Sequence, residues 1–228
     1  EVPNTKRELV AVGDILASEE AHRATHPCEV AIGRDISGRA VLANLAEMPH
    51  ILIAGATGAG KSSCINSLIT SILMRSKPDQ VRLILVDPKR VELGQYNGLP
   101  HLLTPVVVNP KKAANALSWA VKEMERRYDL LSEVGVRDIT GYNNMFDRGE
   151  LRTEARAEGV DDPGETIYKR LSFIVIVVDE LNDLMMVAAR DVEESICRIA
   201  HMARAVGILL LIPPHAPSVT VNPGVVKP

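Results

Sequence analysis

Four short apolar runs punctuate this chain, and each ends at a polar, glycine-rich or proline-rich turn: His50–Ala54, Val81–Val86, Ser172–Val178 and Ile208–Ile212. None alternates with polar residues, as a strand with one wet face would, so all four predict strands buried on both faces. The spacing between them is helical. Ile65, Leu68, Ile69 and Ile72 mark one face after the first run. Asn109-Pro110 is a cap followed by a first-turn proline. It predicts a long helix buried along Ala113, Leu117, Ala120, Val121, Met124, Tyr128 and Leu131 and closed by Gly135. Asp191 with Glu194 three residues on predicts a capping pair. The helix it starts buries Ile196, Ile199, Ala200, Ala203 and Val206 and ends at Gly207. Strands alternating with helices give an α/β fold, a mainly parallel sheet flanked by helices on both faces.

Outside this core the pattern changes. Val30–Leu45 alternates and contains Gly33 and Ser37-Gly38, which predicts a hairpin. Residues 1–29 are polar and carry weak signals. Asp147–Lys169 is charged and nearly free of large apolar side chains, and reads as a mobile surface loop. No run approaches the length of a membrane span, and no signal peptide is evident. The chain starts at Glu1 rather than Met and reads as a piece of something longer.

Composition narrows the function. In 228 residues, 46% are hydrophobic, ample for a core, and the net charge of −3 gives no global pull toward nucleic acid. Aromatics at 3% argue against a single-strand binder built on stacking. Cys28, Cys64 and Cys197 have no metal spacing and read as inert thiols of a reducing compartment. The six histidines show no ligand spacing either.

The chemistry is concentrated at residues 55–62, Gly55-Ala56-Thr57-Gly58-Ala59-Gly60-Lys61-Ser62, which fit G-x-x-x-x-G-K-S/T between a strand and a helix. The glycines let backbone N–H groups converge on an anion, and the helix that follows turns its positive end to the same place. Lys61 would sit on the β- and γ-phosphates and Ser62 on Mg²⁺, with Ser63 beside it. Asp179 and Glu180 end the third core strand. An acid there suits the metal, and its neighbour can deprotonate a water for in-line attack. A helix-terminal charge pair is the competing reading. Asp87-Pro88-Lys89, at the end of the second strand, reads equally well as a turn or as part of the site. No N-K-x-D motif points to guanine.

Six segments then resemble one family: HILIAGATGAGKSS (50–63), LVDPKRVEL (85–93), PHLLTPVV (100–107), EMERRY (123–128), VVDELNDLMM (177–186) and ICRIAHMARAVG (196–207). Together they resemble the FtsK/SpoIIIE DNA translocases through nearly the whole chain. The resemblance implies a RecA-like P-loop ATPase core, truncated at its C-terminus, over residues 45–228. Residues 1–44 would be the end of a smaller accessory part with a lead-in hairpin. It further implies ATP and Mg²⁺, with Lys61 and Glu180 catalytic, residues 55–63 on the nucleotide, and Ser62 and Asp179 on the metal. The implied partners are double-stranded DNA and a homo-hexameric ring. A membrane anchor outside this chain would hold that ring at the cytoplasmic face of the bacterial membrane during division or sporulation. Related pumps for conjugation or secretion share the core. An arginine finger from a neighbouring subunit completes such sites, and Arg126, Arg127, Arg198 and Arg204 are candidates.

One departure stands out. Where the family shows Ala-Thr-Gln-Arg-Pro-Ser, this chain has Pro213-Pro214-His215-Ala216-Pro217-Ser218. Prolines cannot donate from the backbone. The departure predicts weak nucleotide binding, and it leaves a hydrolysis-deficient scaffold subunit as the alternative to a motor.

Overall fold

The computed structural model describes residues 9–48, 50–53, 60–151 and 168–212. Ala54–Ala59 of the phosphate loop, most of the charged stretch after Glu150 and the Pro213–Ser218 departure lie outside the described residues. A four-stranded parallel sheet forms the centre. Its strands are β3 (Ile51–Leu52), β4 (Val81–Val86), β5 (Phe173–Val178) and β6 (Ile208–Ile212), in the order β3-β6-β5-β4. Every residue of β5 is buried, as are five of the six in β4 and four of the five in β6. Both faces of β4, β5 and β6 are therefore covered, as the unbroken apolar runs require, whereas β3 departs from the predicted burial, with Ile51 half-buried and Leu52 54% exposed at the sheet edge.

Three long helices do the covering. α3 (Lys61–Arg75) buries Ile65, Leu68, Ile69 and Ile72, the stripe read from the sequence. α4 (Pro110–Glu133) starts where Asn109 caps it, its side chain accepting from the N–H groups of Lys111 and Lys112. α6 (Leu181–Met202) packs along α4. Gly135 and Gly207 both adopt left-handed φ, 72° and 73°. Gly207 also has no room for a side chain, since a Cβ there would meet Ile139 Cδ1 at 2.5 Å. The free edge of β4 is shielded by residues 101–107. Their backbone bonds Leu83 and Leu85, and Asp87 N–H donates to Val107 O at 2.9 Å.

The predicted hairpin is present as β1 (Glu29–Arg34) and β2 (Ala40–Asn44), antiparallel, with a bulge between Ala31 and Gly33. Two short helices precede it, α1 (Val12–Leu16) and α2 (Glu19–Arg23), in the stretch whose sequence signals are weak. They enclose a small core of Ile15, Ala31 and Ala40. α3 ties this unit down: Ser71 Oγ accepts from Ala31 N–H at 3.1 Å, and the Arg75 guanidinium donates to Ala21 O and Ala24 O.

One predicted boundary is corrected, and one helix is unforeseen. α6 begins at Leu181, ten residues before the Asp191–Glu194 pair, because Glu180 already caps it. The helix breaks at Ala188 (φ −141°, ψ 44°), just ahead of Asp191, so the sequence signal marks an interruption rather than the start. A helix α5 (Ile139–Asp147), capped by Asp138, occupies Arg137–Arg148, which carried no helix expectation. Among the described residues, no helix is long and apolar enough to cross a membrane.

Candidate nucleotide-binding site

Parallel strands send all their carboxyl ends to one side of the sheet, where ligands of such folds sit. Gly60, with φ 100°, turns the chain from β3 into α3, a conformation that favours glycine. Lys61 is the first residue of α3 and Ser62 the second. They stand at the positive end of a 15-residue helix whose first-turn N–H groups have no intrahelical acceptor. Ser62 is half-buried, whereas Ser63 is exposed.

The facing wall is acidic. β4 and β5 pair in register with Val86 opposite Val178, which sets Asp87 beside Asp179. Asp179 N–H donates to Val86 O at 2.9 Å. β6 lies between β3 and β5, so the α3 terminus and Asp179 are two strand spacings apart, about 10 Å between strand axes. Burial raises the Asp179 carboxyl above its ordinary range. The nearby charges of Asp87 and Glu92 raise it further, Lys61 opposes them, and Glu180 adds to them. Lys61 and Asp179 therefore stand at the same end of the sheet, near enough for their charges to interact.

Asp87, Asp179 and Glu180 are all buried within this wall, with Glu180 only 2% exposed. Asp87 Oδ2 accepts from the N–H groups of Glu92 and Leu93 at 3.0 and 2.9 Å. Its Oδ1 is buried without a partner among the described residues. Among the described residues no three His, Cys, Asp or Glu side chains converge on one point, so the carboxylates alone form no closed metal cage; an unused buried carboxylate oxygen suits a hard cation that takes its other ligands from elsewhere.

Two of the contacts of Glu180 bear on the site. Oε1 accepts from Asn182 N–H at 3.3 Å as the cap of α6, and Oε2 accepts from Lys89 Nζ at 3.1 Å. Asp183 Oδ2 lies 4.0 Å from the same ammonium. The bond from Glu180 raises the Lys89 pKa above the ordinary lysine value. Glu180 thus caps a helix, the competing reading of the acidic pair, and does so beside Asp179 at the carboxyl end of the sheet. In the sequence Lys89 reads equally well as part of a turn or of the site, with no partner assigned to it. The signal that could have found it is strand adjacency, invisible until β4 is known to pair with β5.

Arg127 leaves the set of arginine-finger candidates. It is 2% exposed and donates to Glu123, Ser172 O and Val206 O, so no neighbouring molecule can meet it. Arg126 chelates Glu123 at the surface, and Arg198 pairs with Glu125. Cys28 is buried, which pushes its thiol up to about 12 and makes it inert, whereas Cys64 is exposed on α3.

The FtsK/SpoIIIE family profile matches residues 11–219. The chain belongs to the FtsK/SpoIIIE family. It is 50% identical over 227 residues to the DNA translocase FtsK of Streptomyces avermitilis, covering 100% of this chain and 24% of that protein. It is 53% identical to the FtsK of Tropheryma whipplei, covering 29% of it. It is 52% identical to the DNA translocase SpoIIIE of Bacillus subtilis, covering 27% of it. The chain thus spans about a quarter of the length of these curated relatives. Among solved structures it is similar to the conjugation coupling protein TcpA, solved with ATPγS. The TM-score there is 0.64 at 25% identity, over 86% of this chain and 50% of that one. The cytoplasmic domain of EssC shares the fold, with a TM-score of 0.68 at 22% identity over 86% of this chain and 35% of the other. The type VII secretion ATPase EccC of Thermomonospora curvata gives 0.60 at 27% identity, over 84% and 22%. Membership of the family supports a RecA-like P-loop ATPase fold and nucleotide use.

Proposed function

We propose that this chain is the nucleotide-hydrolysing part of an ATP-driven double-stranded DNA translocase. The observation that supports the reading is the placement of Lys61 and Asp179 at the same end of the sheet, in a chain half identical to proteins named DNA translocase. Residues 45–228 would form the ATPase core and residues 1–44 the end of an accessory part leading into it.

Gly55–Ser63 and the α3 terminus would hold the triphosphate, with the Lys61 ammonium on its outer oxygens. Ser62 and Asp179 would hold Mg²⁺, which when bound supplies positive charge against the triphosphate. Asp87 lies behind Asp179 and keeps the wall negative. Glu180 takes the proton of the attacking water, a role open to a buried carboxylate at the carboxyl end of the sheet. In the whole protein this chemistry would drive a homo-hexameric ring along duplex DNA. Such a ring would work in chromosome segregation during cell division or sporulation, at the cytoplasmic face of the membrane, through an anchor outside this chain. DNA contacts would go to phosphates and weaken with salt.

The test is ATP hydrolysis by the intact protein with and without duplex DNA, over a range of salt. The expected result is stimulation by DNA that fades as salt rises and is abolished in Lys61→Ala. A rate indifferent to both DNA and Lys61 would remove the motor reading. A second reading, a conjugation or secretion pump, is favoured by the likeness to TcpA and EccC. Their identities of 25% and 27% stand against 50–53% for the translocases. A hydrolysis-deficient scaffold subunit is the reading that Pro213-Pro214 would favour. Measurable turnover lost on Lys61→Ala excludes it.

A further inference from the structure

We infer that a groove between α4 and residues 168–172 binds an extended peptide segment carrying one large apolar side chain with carboxylates beside it. The groove has a volume of about 340 Å³. It lies at the amino ends of the strands, since residue 172 precedes β5 and Asp179 follows it. The inference therefore does not depend on the nucleotide reading.

Both walls are fixed in advance. One is a stripe of α4, where Trp119, Glu123, Arg126 and Leu130 recur every three or four residues. The other is the stretch leading into β5, whose backbone is pinned by side chains of α5 and α4. Tyr142 Oη donates to Lys169 O at 3.1 Å. Asn143 Nδ2 donates to Leu171 O at 2.8 Å, and its Oδ1 accepts from Leu171 N–H at 2.9 Å. Arg127 Nη1 donates to Ser172 O at 2.9 Å. A wall that is already ordered spares a ligand the cost of ordering it.

The two ends of the groove differ. The second wall runs antiparallel to α4, because Ser172 meets Arg127 while Tyr168 Oη donates to Glu133 Oε1 at 2.6 Å. Toward the start of α4 stand Trp119 and Leu103, 44% and 37% exposed. Toward its end stand Arg126, Lys169 and Arg170, all exposed. Arg126 uses Nε and Nη2 on Glu123, and Arg170 uses Nε on Asp147. Each guanidinium keeps further donors, and Lys169 adds an ammonium. Glu123 is the one carboxylate in the lining, and it is already met by Arg126 and Arg127. In a chain of net charge −3 this is a local excess of positive charge, and it favours an anionic ligand.

The division into an apolar and a cationic end selects the class of ligand. A nucleic-acid strand carries a phosphate at every nucleotide, whereas the cations here occupy one end. A peptide with an apolar side chain on Trp119 and carboxylates beyond it matches both ends. Trp and Arg are also the residue types that dominate protein contacts. Arg126 lies about 10 Å along the helix axis from Trp119, at 1.5 Å per residue. Extended peptide advances about 3.3 Å per residue and shows alternate side chains on one face. Carboxylates two and four residues from the apolar side chain bracket that distance.

The test is fluorescence anisotropy of a labelled peptide titrated with the intact protein. The peptide carries one Phe with Glu two and four positions away, serine elsewhere, and is made in both orders. Saturable binding is expected in one order, and replacing Glu by Gln should weaken it about tenfold. Lys169→Glu should also weaken it about tenfold, and Trp119→Ala by at least as much. Lys111→Glu, about 22 Å along α4 from Arg126, should leave it unchanged. Lys169 is exposed, so its reversal carries the test even where Trp119→Ala fails to fold. Absence of saturable binding in both orders overturns the inference, as do equal losses in Lys169→Glu and Lys111→Glu. Labelled duplex DNA that binds through Lys169 where the peptide does not would assign the groove to nucleic acid and overturn it as well.

Discussion

The two ends of the parallel sheet both bury charge, and they treat it in opposite ways. At the amino ends of the strands, Arg127 is enclosed and fully answered. Its Nε donates to Glu123 at 2.8 Å, and its Nη1 donates to Ser172 O at 2.9 Å and Val206 O at 2.8 Å, stitching α4 to β5 and to the turn before β6. At the carboxyl ends, Asp87, Asp179 and Glu180 crowd together, and Asp179 is raised by burial and by its neighbours. The first arrangement is a fastener. The second crowds like charges together, as the proposed metal and nucleotide site would require. A buried ionic group supports the fold only when its partners come with it, and this contrast separates structural charge from functional charge within one domain.

The largest expected effect breaks the fastened end. Arg127→Ala leaves Glu123 with Arg126 alone and two buried carbonyls without their donor, and should destabilise the chain by about 3 kcal/mol in urea unfolding. Nucleotide affinity per folded molecule should not change. Glu180→Gln should do the reverse, lowering ATP turnover on the order of 10²-fold, about 2.7 kcal/mol in the barrier, with little change in the unfolding midpoint. Gly207→Ala tests how tightly the fastened end is packed. The left-handed φ and the 2.5 Å approach to Ile139 should together cost about 2 kcal/mol, read as a lower thermal midpoint.

The smallest effect is in pH. Burial raises the Glu123 carboxyl, but its bonds from Arg126 and Arg127 outweigh this, and the pKa is lowered overall. A depressed folded pKa gives stability that is present above the unfolded carboxylate value and lost as pH falls through the folded one. Asp179 is raised, so the unfolded chain binds fewer protons across its window. Stability therefore declines as pH rises from the ordinary carboxylate range through the folded pKa. Without nucleotide or metal, Asp179→Asn should raise the urea midpoint at neutral pH and leave it nearly unchanged below the carboxylate range. Glu123→Gln should lower it at neutral pH. Equal responses to the two substitutions would erase the distinction between the ends.

Periodicity makes much of this fold readable. The apolar runs at Val81–Val86 and Ile208–Ile212, the stripe Ile65-Leu68-Ile69-Ile72 and the Asn109-Pro110 cap all appear where the pattern puts them. Each is a local regularity enforced by burial. α1 and α2 are not legible, because helices of five residues present too little stripe. α5 escapes for a related reason: it is nine residues long and buries Ile139, Tyr142 and Asn143, a mixed face. The start of α6 is masked because its cap, Glu180, also reads as chemistry. Arg127 sits on the same helical face as Met124 and Leu131, a spacing that by itself implies burial.

By itself the sequence determined the periodic elements, the motif at residues 55–62 and the family, because these depend on residues near one another in the chain. Only the tertiary structure decided that Asp87 stands beside Asp179, that Lys89 bonds Glu180, and that Arg127 is sealed among carbonyls just ahead of two distant strands. Those pairings span tens of residues. They follow from strand order and register, which are set by the packing of the whole sheet and by no local pattern.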